Sequence, residues 1–250
     1  PLMAIFMSWT IGGAIVSFIL SVIAIVANFV DMGTFGDFMI NYSYIFHFVT
    51  ALGMVTLFMF VDFNTISPGA NDNLTGTYAA VCALRMLDMA GVDFENTEVC
   101  AMITDGEEAG LRGCKSWAKN HYDEYVNSGV ETVVLCVDTL TDREYLRVYN
   151  KDMTGTVKNN QQFSQLVMDA SKDAGYDDIE FSSVVFGSSD AAAFSQAGIT
   201  ATCLAAMDPR PADYYHNRRD TADRLVPETI KTGFDVIIST ILNFDEKGLN

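Results

Sequence analysis

Residues 132–138, with the sequence TVVLCVD, form a short β-branched run that ends in an aspartate. Runs of this kind are typical of β-strands. Further candidate strands lie at 97–104, 145–150, 183–187 and 200–205. Amphipathic stretches alternate with them and predict helices at 75–90, 109–127, 161–174 and 227–245. From residue 62 onward, this alternation predicts a layered α/β domain.

The N-terminal quarter of the chain has a different composition. Residues 3–30 contain no charged side chain, and residues 38–61 contain one histidine as their only ionisable group apart from tyrosines. Each stretch exceeds the roughly 20 residues that a helix needs to cross a bilayer. Both are apolar on nearly all faces, whereas a core helix normally keeps a polar stripe. The sequence therefore predicts a transmembrane helical hairpin at 1–62, a multi-pass membrane protein in contact with the lipid bilayer, and a separate domain at 63–250.

His47 lies inside the second apolar stretch. An ionisable group within a membrane span can mark a functional site. The favoured interpretation is a neutral histidine that forms a hydrogen bond to the neighbouring helix.

The overall charge restricts the kind of partner. The formal net charge is −17, from 32 acidic and 15 basic residues, and this argues against nucleic acid as a ligand and favours a cationic one. The number of cysteines is odd, and most of them fall within apolar patterns where buried thiols are common. They are therefore interpreted as reduced, which favours a domain that faces the cytoplasm. The five are Cys82, Cys100, Cys114, Cys136 and Cys203.

Polar side chains follow several of the candidate strands. In open α/β sheets, the carboxyl ends of the strands border a crevice in which functional sites collect. Each of these residues alone has an ordinary structural explanation, such as a helix cap or a solvated surface group. Those that follow strands are Glu107, Glu108, Asp138, Asp190 and His216.

Taken together, these residues supply what a hydrolytic zinc site requires. Such a site needs oxygen and nitrogen ligands, an open coordination position and a base for the bound water. Adjacent glutamates suit two separate tasks, because successive side chains in extended backbone point to different sides. A bridging carboxylate such as Asp72 could hold two cations about 3.5–4 Å apart. The sequence thus indicates Asp72, Asp138, His216 and one of the two adjacent glutamates, Glu107 or Glu108, as metal ligands, with the other glutamate as the general base.

Five segments resemble, in order and spacing, the co-catalytic zinc aminopeptidases of peptidase family twenty-eight, which also includes glutamate carboxypeptidase and glutaminyl cyclase relatives. The resemblance covers about residues 62–247. It implies a mixed central β-sheet flanked by helices, as in zinc exopeptidases. The segments are SPGANDNLTG at 67–76, TDGEEAGLRG at 104–113, VDT at 137–139, SSD at 188–190 and YHNRRDT at 215–221.

The resemblance also implies roles for individual residues. Asp72 would bridge two zinc ions, Glu108 and His216 would complete one site, and Asp138 would belong to the other. Glu107 would be the base. The peptide bond after Asp72 would be cis.

Two further aspartates would have supporting roles. Asp190 would contact the catalytic carboxylates, although many relatives follow this aspartate with a histidine and this chain has Ala191. Asp220, together with Thr221, would orient the loop that carries His216, because a metal-bound histidine needs its other ring nitrogen fixed.

The chain departs from the family at one ligand. The family supplies a fifth ligand from a His-x-Asp motif, which by spacing would fall on Phe60-Val61-Asp62, and phenylalanine cannot bind zinc. One explanation is a degenerate site. The favoured one is a truncated chain that lacks its N-terminal strands, with the histidine upstream of Pro1 and two zinc ions in the complete protein.

The leading functional prediction is a membrane-anchored zinc metallopeptidase, an aminopeptidase that acts on peptides with a free N-terminus. One alternative is a glutaminyl cyclase-like acyltransferase with a single zinc. Relatives of that kind have tryptophans in the pocket, whereas the two tryptophans here, Trp9 and Trp117, lie in an apolar span and on a predicted helix. The other alternative is a receptor or binding homologue without catalysis.

Overall fold

The computed structural model describes residues 2–60, 64–185, 187–210 and 212–249. The chain divides into two compact units, Pro1–Ile66 and Ser67–Asn250. Three predicted features lie outside the described residues. They are the domain boundary at 62/63, the end of the second apolar stretch at 61, and Val61 and Asp62 of the segment that stands in place of the His-x-Asp motif.

The first unit consists of two helices, α1 (Leu2–Phe29) and α2 (Thr34–Phe60), which agree with the predicted helical hairpin. His47 in α2 lies between two serines of α1. The hydroxyl of Ser17 hydrogen-bonds the Nδ1 atom of His47, and the hydroxyl of Ser21 lies 3.2 Å from its Nε2 atom. The predicted bond between this histidine and the neighbouring helix is confirmed.

Among the helices of the described residues, none is both long enough and apolar enough to cross a membrane. The described helices therefore confirm the helical hairpin, and they do not support the membrane-spanning part of the prediction or its bilayer partner.

The second unit contains a mixed sheet flanked by helices, as predicted. The strand order is β1-β5-β2-β3, and β4 also pairs with β2. Strand β1 runs parallel to β5, β2 runs antiparallel to β5, and β4 runs parallel to β2. The strands are β1 (Val133–Leu140), β2 (Leu146–Asp152), β3 (Val157–Lys158), β4 (Glu180–Ser183) and β5 (Thr200–Ala206).

One predicted strand is absent. Residues 97–104 are not assigned to a strand, and no described segment pairs with them. A β-rich composition favours extended backbone, but a strand also requires a partner for its hydrogen-bond ladder. The strand predicted at 183–187 also differs, because β4 ends at Ser183.

The four helices predicted in this unit are present, and a short fifth helix, α6, was not predicted. The helices are α3 (Gly76–Met89), α4 (Arg112–Tyr125), α5 (Gln161–Asp173), α6 (Asp190–Gln196) and α7 (Pro227–Lys247).

The two faces of the sheet have different coverings, because successive strand residues point to opposite sides. On one face, buried Leu146 and Val148 of β2 pack in a cluster with Phe163 of α5 and Val236 of α7. On the other face, Cys203 of β5 lies in a cluster with side chains of α4 and α6. The candidate site lies on this second face. All five cysteines are free, in agreement with the prediction of reduced thiols.

Candidate metal centre

Three of the four predicted metal ligands lie together. Asp72, Glu108 and His216 each offer one ligand atom, and these atoms lie within 4.8 Å of one another. The Nε2 atom of His216 is 2.9 Å from Oε1 of Glu108 and 3.3 Å from Oδ2 of Asp72. Three segments far apart in the sequence therefore place ligand-type atoms around one point.

The ring of His216 is held in a defined orientation. Its backbone is in the left-handed region, with φ 54°, which non-glycine residues rarely adopt. The ring stacks on Tyr215 with the ring centroids 3.7 Å apart. Burial alone lowers the pKa of His216, but the hydrogen bonds to Asp72 and Glu108 outweigh burial and raise it to about 10. A positive charge at this position is thus favoured by the surrounding carboxylates.

Asp138, the fourth predicted ligand, lies beside this cluster. It is within β1, two residues before the strand ends, rather than at its end as predicted. Its Oδ1 atom is buried and has no hydrogen-bond partner. Burial, followed by the negative charge of Asp72 and then that of Glu107, raises the pKa of Asp138 well above its usual range. An unpartnered buried carboxylate oxygen is costly unless a cation or proton satisfies it.

Glu107 lies next to the cluster in a half-buried position. Burial, followed by the charges of Glu108 and Asp190, raises its pKa to about 7. The sequence predicted that Glu107 and Glu108 follow a strand. In the structure they follow an irregular segment that leads into α4. Gly106, with φ 64°, begins their turn, and the carbonyl of Glu107 accepts hydrogen bonds from the N–H groups of Gly110 and Leu111 at 2.9 and 2.8 Å.

Asp220 holds the backbone of Asp72. It is 2% exposed, and its two carboxylate oxygens accept hydrogen bonds from the N–H groups of Asn71 (2.8 Å) and Asp72 (2.9 Å). The sequence predicted that Asp220 orients the loop of His216. Its side-chain bonds instead fix the Asp72 loop and thereby tie the two ligand loops together. The peptide bond between Asp72 and Asn73 is cis, as predicted.

Asn73 connects the same loop to β1. Its Nδ2 atom donates to the carbonyl of Val137 at 2.9 Å, and its Oδ1 atom accepts from the N–H of Thr139 at 3.1 Å. Asp138 lies between these two contacts. The amide of Asn73 therefore sets the spacing between the segments that carry Asp72 and Asp138.

Asp190 is near the site but is not one of the three clustered ligands. Its Oδ2 atom accepts a hydrogen bond from the hydroxyl of Thr104 at 3.0 Å, whereas its buried Oδ1 atom has no partner. Asp152, which the sequence analysis missed, fixes the turn before Asp190. It is fully buried and accepts hydrogen bonds from the N–H (2.9 Å) and the hydroxyl (2.6 Å) of Ser189.

Asn71 was also missed. It is 1% exposed, its Nδ2 atom donates to the hydroxyl of Tyr214 at 3.0 Å, and its Oδ1 atom accepts from the N–H of Leu140 at 2.9 Å. The only available signal in the sequence is its position directly before Asp72.

The acidic cluster lines one end of a cavity of about 260 Å³. Further lining comes from the sheet and from residues 182–185, 188–189 and 207–209. A zinc ion fits the chemistry of the clustered residues, because carboxylate oxygens and an imidazole nitrogen are ordinary zinc ligands. The unpartnered Oδ1 atom of Asp138 is a further oxygen available to a cation.

Comparison with known proteins gave one family and several relatives. Residues 54–241 match the family described as Peptidase family M28. Aminopeptidase YwaD of Bacillus subtilis (strain 168) is 27% identical over 194 residues, which cover 70% of this chain and 37% of that protein. This chain therefore spans less than half the length of that relative.

Two solved structures share the fold. An aminopeptidase from Aneurinibacillus sp. strain AM-1 is 22% identical with a TM-score of 0.59, over 70% of this chain and 39% of the other. A glutaminyl cyclase from an Acidobacteriales bacterium is 16% identical with a TM-score of 0.54, over 72% of this chain and 63% of the other. At these identities, the likeness concerns the fold alone.

Proposed function

The chain belongs to peptidase family M28, and we propose that it is the catalytic region of a zinc-dependent aminopeptidase, which hydrolyses the N-terminal residues of peptides. The observation that carries this proposal is the cluster of Asp72, Glu108 and His216 with Glu107 beside it. The family and the similarity to an aminopeptidase support the same reaction class.

In this proposal, Asp72, Glu108 and His216 would hold one zinc ion, and Asp138 together with Asp72 would hold a second. Bound zinc supplies Lewis-acid polarisation of the scissile carbonyl and of a water molecule. The chain supplies the geometry, because Asp220 and Asn73 fix the backbone on both sides of the loop that carries Asp72.

Glu107 moves the proton. A carboxylate oxygen of Glu107 takes a proton from the attacking water and passes it to the nitrogen of the departing amine. In the metal-free site, burial and the neighbouring carboxylates raise the pKa of Glu107 to about 7, and bound zinc would lower it again, because a nearby positive charge favours the ionised form that accepts the proton. The neighbouring carboxylates Glu108, Asp190 and Asp72 contribute to this value after burial.

The negative charges around the centre favour a substrate with a free ammonium group. Four carboxylates line this part of the cavity: Asp72, Glu107, Glu108 and Asp138. Their formal charge of −4 would fall to −2 with one zinc ion and to zero with two, and nearby Asp190 adds one further negative charge. A peptide with a free N-terminus therefore suits the cavity better than a blocked one.

The test compares two adjacent glutamates. Glu107→Gln keeps the size and removes the base, so zinc should remain bound while hydrolysis of an aminoacyl anilide falls by about 10²- to 10⁴-fold. Glu108→Gln replaces a charged ligand with a neutral one, so zinc content should fall together with activity. Zinc stoichiometry and the hydrolysis rate are measured on the same preparations.

Glu246→Gln is the matched control, because this glutamate is exposed near the end of α7 and lies 3.9 Å from Lys247. It should leave both readouts unchanged. Full activity in Glu107→Gln, or loss of zinc from Glu107→Gln but not from Glu108→Gln, would contradict the assigned roles. A wild-type protein that binds zinc and hydrolyses no aminoacyl substrate would contradict the aminopeptidase proposal itself.

A glutaminyl cyclase activity is less well supported. No tryptophan is among the described residues that line the cavity. Trp117 in α4 packs instead against Phe194, with the ring centroids 5.7 Å apart, while the side chain of Trp9 is outside the described residues. Release of ammonia from a glutaminyl peptide, measured beside the hydrolysis assay, would identify this activity.

A further inference from the structure

Arg147 is a cationic side chain that lines the same cavity as the acidic cluster. It is the one Lys or Arg among the described residues that line the cavity. Its neighbours in β2, Leu146 and Val148, are fully buried on the opposite face of the sheet. Because side chains alternate along a strand, Arg147 projects from the face that also carries Asp138.

The strand register places Arg147 in line with the metal centre. Asp138 of β1 is paired with Ala205 of β5, and Ala205 is paired with Arg147 of β2. Neighbouring strands are about 4.8 Å apart, so the backbones of Asp138 and Arg147 are separated by roughly 10 Å. The residue between them is an alanine, whose small side chain leaves the floor of the cavity open.

The guanidinium of Arg147 uses few of its N–H donors within the described part of the chain. Within the described part of the chain, its one side-chain hydrogen bond runs from NH1 to the backbone carbonyl of Leu146, at 2.8 Å. Glu180 on β4 forms an ion pair with Arg147 at 3.9 Å, which is too long for a hydrogen bond, and the side chain of Glu180 is 74% exposed. The side chain of Arg147 is only 25% exposed. A guanidinium carries five N–H donors in a fork that matches a carboxylate.

We propose that Arg147 selects substrates that carry a carboxylate within reach of the scissile bond. This proposal rests on the proposed aminopeptidase function and adds the substrate class. Two sources of that carboxylate have the same chemistry, namely the side chain of an N-terminal Asp or Glu and the free α-carboxylate of a dipeptide. Arg147 offers such a carboxylate a fixed positive charge in a cavity whose other charged residues are mainly acidic.

Binding in the absence of turnover tests the proposal. The zinc-loaded Glu107→Gln protein is titrated calorimetrically with two ligand pairs matched in size. Glutamic acid α-amide against glutamine α-amide tests the side-chain carboxylate, and leucyl-glycine against leucyl-glycinamide tests the α-carboxylate. A charge-assisted hydrogen bond corresponds to about 10- to 100-fold tighter binding of the charged member of a pair.

When Arg147→Gln is added to the Glu107→Gln protein, the charged ligand of each pair should no longer bind more tightly than its neutral counterpart. Arg143→Gln is the matched control, because Arg143 forms a bidentate ion pair with Asp178, both contacts being 2.7 Å, and does not line this cavity. The control should keep the preference.

A preference in the first pair identifies an acidic N-terminal residue, and a preference in the second pair identifies a dipeptide. No preference in either pair, or one that survives Arg147→Gln, would overturn the proposal. Because binding is measured without turnover, this outcome is separate from a failure of wild-type hydrolysis, which would count against the aminopeptidase function alone.

Discussion

The anchoring of Asp72 by Asp220 predicts a combined loss of stability and zinc affinity when the anchor is changed. The carboxylate of Asp220 is buried and accepts two backbone hydrogen bonds, from Asn71 at 2.8 Å and Asp72 at 2.9 Å. In Asp220→Asn, one oxygen still accepts, but the amide group turns an N–H toward the second backbone donor. One charge-assisted bond is lost, and a buried N–H is left without an acceptor.

The size of the effect follows from these two contacts. A hydrogen bond to a charged group contributes about 1.5–3 kcal/mol, and an unsatisfied buried donor costs about 1–3 kcal/mol. Because these terms overlap, we expect a loss of about 2–4 kcal/mol in the free energy of unfolding. Loss of groups that orient metal ligands lowers metal affinity by about 10- to 100-fold. The zinc affinity of Asp220→Asn should therefore fall by a factor within that range, because the loop that carries Asp72 loses its anchor.

Two assays measure the two effects. Urea unfolding of the metal-free protein, followed by circular dichroism, gives the stability, and competition with a chromophoric chelator gives the zinc affinity. Asp213→Asn is the matched control, because Asp213 lies in the same loop and forms exposed ion pairs with Arg224 and Arg219. Its effect should stay below about 1 kcal/mol. Wild-type stability and zinc affinity in Asp220→Asn would refute this account of the loop.

Three further outcomes are expected. Asp152→Ala should lower the free energy of unfolding by about 2–4 kcal/mol, because the N–H and hydroxyl of Ser189 lose their buried acceptor; a change below about 0.5 kcal/mol in urea unfolding would contradict this. Gly76→Ala should cost about 1–3 kcal/mol, since a Cβ there would lie 2.2 Å from the carbonyl of Val137. Gly12→Ala, where a Cβ meets nothing within 4 Å, is the control, and equal thermal midpoints for the two variants would refute the steric argument. Zinc added to the metal-free protein at about 100 times its dissociation constant should stabilise the fold by about 2.7 kcal/mol; an unchanged urea midpoint would argue against a site formed in the folded state.

The sequence predicted the elements whose patterns are local. Strands β1 and β5 and helices α3, α5 and α7 follow from β-branched runs and amphipathic periodicity, both of which depend on neighbouring residues. The metal cluster could also be anticipated, because Asp72, Glu108 and His216 are chemically distinctive and occur in a characteristic order. Their mutual distances, however, required the fold.

Features that depend on pairing between distant segments could not be predicted. Residues 97–104 have a strand-like composition but no ladder partner in the described part of the chain. The placement of Arg147 beside the centre depends on the register of β2 against β5, which periodicity alone does not give. Asp152 resembles an ordinary structural aspartate, and only its buried acceptor geometry distinguishes it. Asp220 was predicted to support the site, but its hydrogen bond to the backbone of Asp72 was not.

The hydrogen bond between the N–H of Asp72 and Asp220 spans 148 positions of the chain. At a synthesis rate of about 5–20 residues per second, the anchor leaves the ribosome roughly 7–30 s after the loop that it holds. During that interval, the nascent chain exposes the carboxylates of Asp72 and Glu108 without the segment that carries His216. A growing chain therefore cannot hold zinc in this arrangement until the segment that carries His216 has been made, so the order of synthesis sets the earliest moment at which the metal can be bound.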